Sequence, residues 1–409
     1  MKLIHHSAEI FGEIEIGGSK SESNRWLILK KLYPEIKDIE NIADAEDTEV
    51  LQKALQKDSQ EVNIHHAGTA MRFLTAYYAF SKVKKVLLTG SKRMQERPIA
   101  PLVDALKKAG ADIEYVNKQG YPPLKITGKA IQPKNIEIQA NLSSQYISAL
   151  MLIAPKLRQG LEINFTTELT SKPYIEMTKT QLESVEIKVE WLENEKGIRV
   201  LPCRKIQRTN VIVESDWSSA SYWYSIAALS KDCNITLSTY KRDSLQGDAR
   251  LVPIYEKYFG VMTLWRNNKV ILRKKTDYTP PEIIRLDLNR NPDLAQTIAI
   301  TCAGLKIKVK LTGLHTLKIK ETDRLVALKT ELKKCGVESI ITDDSIELVA
   351  FEDVWQTPCI ETYEDHRMAL SFTPLALTRE MEIKCPEVVN KSYPKFWRDL
   401  EYVGFNIQP

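Results

Sequence analysis

The sequence predicts an α/β protein made of repeated mixed βα units arranged as two related domains. Three observations carry that prediction. The chain has 409 residues, and at roughly 100–200 residues per domain this suggests two or three domains, each large enough to bury its own core. Two distant segments, Arg97 to Ile113 (RPIAPLVDALKKAGADI) and Arg324 to Ile340 (RLVALKTELKKCGVESI), place Leu102, Leu106 and Gly110 at the same spacing as Leu328, Leu332 and Gly336. An apolar stripe at four-residue spacing, ending in Lys-Lys-x-Gly, reads as an amphipathic helix closed by a left-handed glycine and followed by a strand. A looser third copy runs from Leu251 to Val261. Finally, short β-rich runs at Lys85 to Leu88, Leu161 to Phe165, Ile307 to Leu311 and Met381 to Lys384 alternate with these helices. Likeness between the halves favours duplicated domains with a cleft between them. Helix-glycine-strand is also common in α/β proteins at large, and the pattern alone leaves both readings open.

Composition narrows the function classes. The chain is 43% hydrophobic and 27% charged, with 18 Pro and 16 Gly, which fits a globular protein and excludes collagen, coiled coil and wholesale disorder. Lys and Arg number 58 against 53 Asp and Glu, for a net charge of +5. That excess is too mild to point to nucleic acid. The longest uncharged run, Ile138 to Pro155, is broken by Gln139, Asn141, Ser143, Ser144 and Gln145, so no membrane span is expected. The start of the chain carries Glu9, Glu13 and Glu15 and no apolar core, which predicts no secretory signal and a cytoplasmic location. The six cysteines (Cys203, Cys233, Cys302, Cys335, Cys359, Cys385) form no C-x-x-C pair, so they are expected to be reduced, mostly buried thiols. His5-His6 and His65-His66 are adjacent residues whose side chains point apart on a strand, and no metal site is expected.

Several predicted helices begin with anion-binding chemistry. At Gly17 to Leu32 (GGSKSESNRWLILKKL), small and hydroxyl residues precede an apolar run, with Lys20 and Arg25 at its mouth. Gly68 and Thr69 open Gly68 to Phe80, which carries Arg72; Ser143, Ser144 and Gln145 open the run to Pro155; Ser218 and Ser219 open the run to Leu229. Exposed N–H groups and the positive end of the helix dipole attract anions, and a nearby Lys or Arg adds charge-assisted bonds. Ser and Thr are equally good N-caps, so any one such start is ambiguous. Four of them suggest a small polyanionic ligand. No G-x-x-x-x-G-K-[ST] or G-x-G-x-x-G occurs to support a nucleotide.

Charged clusters follow. Lys318 to Arg324 (KIKETDR) gathers Lys320, Glu321, Asp323 and Arg324 at a helix start where Thr322 or Asp323 could cap; alone it could equally be a surface lattice of ion pairs. Asp365, His366 and Arg367 stand directly ahead of an apolar helix, and Asp293 precedes the run Leu294 to Leu305, where it could be only an N-cap.

Taken in order, GGSKSESNR, AGTAMR, RMQERP, LSSQYISALML, SKPYIEMT, ESDWSSAS, LQGD, NPDLAQT, IKETDRL, YEDHRMA and NKSYPKFW closely resemble the 5-enolpyruvylshikimate-3-phosphate synthase family. The matches run from Gly17 to Trp397 and span nearly the whole chain. The resemblance implies transfer of the enolpyruvyl group of phosphoenolpyruvate to the 5-hydroxyl of shikimate 3-phosphate, with release of phosphate, on the route to chorismate and aromatic amino acids. It implies no metal and no organic cofactor, small-molecule partners only, and a monomer. It also implies an α/β fold of two similar domains, each of three βαβαββ units with helices inside and sheets outside, an inside-out barrel with the active site in the interdomain cleft. The expected domains are residues 19–213, on the shikimate-phosphate side, and residues 1–18 with 214–409, on the phosphoenolpyruvate side.

By the same resemblance, shikimate 3-phosphate is held by Lys20, Ser21, Arg25, Thr69, Ser143, Ser144, Gln145, Ser171, Tyr174, Asp293, Thr316 and Lys320. Phosphoenolpyruvate is held by Lys20, Gly68, Arg93, Gln145, Arg324, Arg367 and Lys391. Glu321 is expected to move a proton at the methylene carbon, and Asp293 to take one from the hydroxyl. Lys20 would serve both substrates, with His366 orienting or relaying. The sister enzyme acting on UDP-N-acetylglucosamine shares the fold, but KETDR and SSQ favour the shikimate enzyme. A catalytically silent phosphate-binding relative is disfavoured because binding anions gives no reason to keep Asp293 and Glu321 beside them.

The chain departs from the family pattern in four places. His66 and Phe73 replace the usual Asn and Pro around Ala-Gly-Thr-Ala-Met-Arg, and Thr316 stands where many relatives have Asn. The stretch from Leu55 to Gly68 is short, which predicts one trimmed βαβαββ unit. Phe73 is expected to alter inhibition by glyphosate, which occupies the phosphoenolpyruvate site in the family.

Overall fold

The computed structural model describes residues 1–56, 59–81 and 85–408. Contacts divide the chain into a terminal unit, Met1–Gly17 with Glu214–Pro409, and an inserted unit, Gly18–Val213. Among the described residues six small sheets serve the two units, three in each.

In the terminal unit each described sheet has four strands and one pattern of parallel and antiparallel pairing. Ile283–Asp287 and Lys308–Thr312 run parallel, and Ile346–Phe351 and Val337–Ile341 add an antiparallel hairpin. Glu9–Ile14, Asp232–Ser238, Lys269–Lys274 and Val261–Arg266 repeat the arrangement. The third sheet pairs Cys359–Ile360 with Met381–Ile383, and strand Lys2–Ile4 then lies between Met381–Ile383 and Asn406–Gln408. A parallel pair needs a helical crossover while a hairpin needs only a tight turn, so this order is the footprint of a βαβαββ unit.

Two full units recur in the inserted unit. One contains Glu61–Asn63, Val86–Thr89, Leu124–Thr127 and Asp112–Tyr115; the other contains Asn135–Ile138, Leu161–Phe165, Gly197–Val200 and Val189–Trp191. Its third sheet has two strands, Thr209–Ile212 parallel to Ile36–Glu40. Helix Glu46–Gln56 is followed within four residues by strand Glu61–Asn63, which leaves no room for a hairpin. Residues 57 and 58 of this shortened stretch lie outside the described residues.

The helices sort by burial. Gly68–Phe80, Ser144–Ile153, Trp217–Leu229, Ala295–Leu305 and His366–Phe372 are buried on nearly every side and form the centre of their unit's core. An apolar run without a polar face can be accommodated only there. Glu46–Gln56, Ala100–Lys108, Leu251–Tyr258 and Arg324–Lys334 bury one face and expose their charges. Gly110, Gly260 and Gly336 all take positive φ (98°, 64° and 78°) just before strands Asp112–Tyr115, Val261–Arg266 and Val337–Ile341. The three repeated segments are therefore one structural device.

Three local details sharpen the sequence reading. Helix Trp217–Leu229 is capped by Asp216, whose side chain accepts from the Ser219 N–H, so Ser218 and Ser219 lie inside its first turn. Asp293 is no cap: Asn291 precedes the turn Pro292–Leu294, and the helix starts at Ala295. Of the cysteines, Cys233, Cys302 and Cys335 are buried, Cys203 and Cys359 are half-buried and Cys385 is exposed. No helix among the described residues is long and apolar enough to cross a membrane.

Candidate functional site

The terminal unit brings KETDR, NPD, EDHR and the lysine of NKSYP together. Asp323 caps helix Arg324–Lys334 by accepting from the N–H groups of Leu325 and Val326, which leaves Arg324 in the first turn facing inward. The Arg324 side chain is only 2% exposed. Its Nε donates to Asp365 Oδ2 at 2.7 Å, Nη1 to Asp293 Oδ1 at 2.8 Å and Nη2 to Glu321 Oε2 at 2.8 Å. Lys391 Nζ reaches the other oxygen of Glu321 at 3.0 Å. Lys320 Nζ stands 3.3 Å from Asp293 Oδ1, and Arg367 Nη2 stands 3.4 Å from Asp293 Oδ2. This is a buried network, not a surface lattice.

A second layer holds Arg367. Asp365 caps helix His366–Phe372 and accepts the Arg367 N–H at 2.9 Å. The guanidinium donates to the Asp293 carbonyl at 3.3 Å, the Tyr222 hydroxyl at 3.5 Å and Ser218 Oγ at 3.2 Å. Ser218 in turn donates to Asp248 Oδ2 at 2.5 Å. His366 is buried with Nδ1 3.7 Å from Asp365 Oδ1. Tyr363 and Glu364, just ahead of this helix, both take left-handed backbone (φ 52° and 54°), a strained approach for non-glycine residues. The Tyr363 hydroxyl and the Glu361 N–H anchor it on the buried Glu331 carboxylate.

Charge follows this geometry. Burial alone would lift the Asp293 carboxyl, but Arg367, Lys320 and Arg324 outweigh it and hold the group well below the usual range. Burial works against the Arg324 charge, yet Asp365, Glu321 and Asp293 keep it firmly protonated. Asp248 is opposite in kind. Burial pushes its carboxyl up to about 6, although Arg367 pulls it back. The cluster thus carries its own counter-ions, each carboxylate matched by cations of the same unit.

The inserted unit gathers the other residues. Ser19 caps helix Lys20–Leu32, so Lys20 and Ser21 begin its first turn. Lys20 pairs with Asp47 at 3.1 Å. One turn on, Arg25 is buried and donates to Thr178 Oγ1 (2.7 Å), the Ser21 carbonyl (2.7 Å), Ser148 Oγ (3.1 Å) and the Tyr174 carbonyl (3.2 Å). Burial among these uncharged acceptors lowers its guanidinium to about 10. Phe73 covers it, with the ring centroid 5.5 Å away.

Nearby, Ser143 caps helix Ser144–Ile153, and Gln145 Nε2 donates to Thr69 Oγ1 at 3.2 Å. Ser171, at φ 55°, turns the chain into helix Lys172–Glu183, which carries Tyr174. Gly68 opens its helix against Arg97, whose Nη1 would lie 2.6 Å from an added Cβ. Arg93 stands beside the turn Met94–Glu96, 3.3 Å from Glu96 Oε2. Thr316 is buried in the turn His315–Ile319, and its Oγ1 has no hydrogen-bond partner among the described residues.

Sequence reasoning missed Ser148, Thr178, Asp47 and Arg97 here, and Tyr222 and Asp248 in the other unit; it named Ser218 and Asp365 at helix starts without their arginine partners. Most lie within the segments that carry the resemblance, but spacing gives no sign that they turn toward an arginine. Among the described residues no group of three or more His, Cys, Asp or Glu is placed to hold a metal.

An α/β scaffold of βαβαββ units with carboxylates set among arginines and lysines defines an enolpyruvyl transferase-like protein. The family model for EPSP synthase (3-phosphoshikimate 1-carboxyvinyltransferase) matches residues 51–400. A 3-phosphoshikimate 1-carboxyvinyltransferase of Bacteroides fragilis (strain YCH46) is 44% identical over 409 residues, covering 99% of this chain and 98% of that protein. One from Mannheimia haemolytica is 33% identical over 431 residues, covering 96% and 97%. The 2.37 Å structure of EPSP synthase from Acinetobacter baumannii superposes with a TM-score of 0.73 at 20% identity, covering 100% of this chain and 99% of that one, which supports the fold. The chain belongs to the EPSP synthase family.

Proposed function

We propose that this chain is a working 3-phosphoshikimate 1-carboxyvinyltransferase, in which the terminal unit's cluster performs the proton transfers and the inserted unit's cluster supplies most of the contacts to shikimate 3-phosphate. The observation that carries the reading is the pair of carboxylates, Asp293 and Glu321, bonded on either side of Arg324 and edged by Lys320, Arg367 and Lys391. Carboxylates so placed repel anionic ligands. Their presence makes sense where protons must also move.

In the reaction the 5-hydroxyl oxygen bonds to C2 of phosphoenolpyruvate, the hydroxyl proton leaves and C3 gains a proton to become methyl. The tetrahedral intermediate then loses a methyl proton as the carbon–oxygen bond to phosphate breaks. Glu321 is assigned the proton at C3, and Asp293 the proton of the hydroxyl. Asp293 is a poor base while three cations face it. As Arg324 and Arg367 turn to the phosphate and carboxylate of phosphoenolpyruvate, its basicity returns. The lysines and arginines stabilise the charge that develops at the tetrahedral centre, and the planar fork of Arg suits it to carboxylate and phosphate.

On the same reading Lys20, Gly68, Arg93, Gln145, Arg324, Arg367 and Lys391 hold phosphoenolpyruvate, Lys20 serves both substrates and His366 orients Asp365. Ser21, Arg25, Thr69, Ser143, Ser144, Gln145, Ser171, Tyr174, Asp293, Thr316 and Lys320 face shikimate 3-phosphate. Phosphate release from phosphoenolpyruvate, measured with and without shikimate 3-phosphate, tests the proposal. Release that requires both substrates is expected, and none from folded protein would overturn it.

A further inference from the structure

The segments ESDWSSAS and LQGD supply a carboxylate that the proposed chemistry does not use. Asp248 lies on the turn Gly247–Arg250 and is 3% exposed. Its Oδ2 accepts from Ser218 Oγ, while its Oδ1 is buried with no hydrogen-bond partner among the described residues. A buried carboxylate with one oxygen bare and a neutral hydroxyl as its bonded neighbour is poorly compensated. Its charge is tolerated because Arg367 stands beyond Ser218, donating to the same hydroxyl oxygen.

We propose that Asp248 takes up a proton when an anion occupies Arg367, so that the cluster keeps its charge balance as phosphoenolpyruvate enters. This rests on the assignment of Arg367 to that substrate. The groups facing Asp248 are Arg367 on helix His366–Phe372, Asp293 on the turn Pro292–Leu294, and Asp216 with Ser218 around the start of helix Trp217–Leu229. Arg367 is the charge among them that favours ionised Asp248, whereas Asp293 and Asp216 oppose it. A phosphate or carboxylate on Arg367 cancels that support and adds negative charge of its own, so both changes drive Asp248 toward its neutral form. Asp293 meets three cations and sits far below neutrality, which leaves Asp248, already raised to about 6 by burial, as the group poised to respond. Ser218 is half-buried and gives the proton a route. Its hydroxyl proton passes to Oδ2 and is replaced from solvent, so the net event is one proton bound.

The role is a positioning one, and proton counting reads it directly. Phosphoenolpyruvate alone, and separately sulfate, which does not titrate near neutrality, are titrated calorimetrically at pH 7.5 in buffers of different ionisation enthalpy. Wild-type protein should take up a fraction of a proton, up to one, per anion bound, and Asp248→Asn should lose at least half of that uptake. Uptake in the wild type should vanish below about pH 5, where Asp248 is already neutral. Equal uptake in wild type and Asp248→Asn, uptake persisting undiminished to pH 5, or no binding of either anion would overturn the inference. If Asp248→Asn does not fold, the wild-type pH series decides. Nothing turns over in these titrations, so a failure to release phosphate with shikimate 3-phosphate would strike the proposed reaction and leave this measurement standing.

Discussion

Arg324 donates its Nε–H to Asp365 Oδ2 at 2.7 Å where both side chains are shut off from water, at 2% and 0% exposure. Removing one partner of such a pair strands a buried charge, which typically costs 3–5 kcal/mol. Asp365→Asn should therefore lose about 3 kcal/mol in urea unfolding and should raise KM for phosphoenolpyruvate, because Asp365 also caps the helix that carries Arg367. A change below about 1 kcal/mol would show that the pair is not structurally needed.

Glu321→Gln and Asp293→Asn separate proton transfer from binding. Each keeps the shape of the site and removes a proton acceptor, so turnover should drop by about 10²–10⁴. Substrate affinity, followed by calorimetry, should stay within about tenfold. Full turnover in either variant would remove that residue from the mechanism.

Asp248 and Asp293 should give stability profiles of opposite sign. The Asp248 carboxyl is raised in the folded protein to about 6, so between pH 4 and 6 the native state binds more protons than the unfolded chain. Its contribution becomes unfavourable as pH rises through that window, and Asp248→Asn should be more stable than wild type by about 1–2 kcal/mol at pH 8, with no advantage at pH 4. Asp293 is depressed when folded, so its contribution is present above the ordinary carboxyl range and is lost on acidification. Asp293→Asn should accordingly be less stable at pH 8, by a margin that shrinks toward pH 3. Urea titrations across pH give both curves, and parallel curves for the two variants would contradict the assigned signs.

Phe73 lies one turn beyond Thr69 on helix Gly68–Phe80, 1% exposed, against Arg25. Phe73→Pro removes the ring over the guanidinium and the N–H that bonds back along the helix. The inhibition constant for glyphosate should shift by several-fold, together with KM for shikimate 3-phosphate. Identical constants in the two proteins would dismiss the link.

Much of the architecture was legible because local rules and tertiary contacts agree. Lys-Lys-x-Gly foretold Gly110 and Gly336 in the left-handed region, and the short interval after Gln56 left no room for a hairpin. Helix starts at Lys20, Gly68 and Ser144 fell where the hydroxyl and small residues placed them. Ser218 and Ser219 do lie in the first turn of their helix, but its cap is Asp216, an equally good capping residue two positions before Ser218. Ser148 and Thr178 were invisible for a different reason. Each sits inside a helix where a hydroxyl looks like a tolerated core residue, and only the fold brings both to Arg25, more than a hundred residues away in sequence. Asp248 left no local signal at all, since its significance lies in what does not touch it.

The two-stranded sheet of Ile36–Glu40 and Thr209–Ile212 has rims but no middle strand. A bare rim offers backbone groups to any passing extended chain, and long apolar rims invite aggregation. Here the strands are five and four residues long, and Lys37, Asp38 and Glu40 are exposed along one of them beside the apolar Ile212 on the other. With only two strands paired, the charges of Lys37, Asp38 and Glu40 stand where a further chain would have to pair, and they oppose edge-to-edge association at this corner.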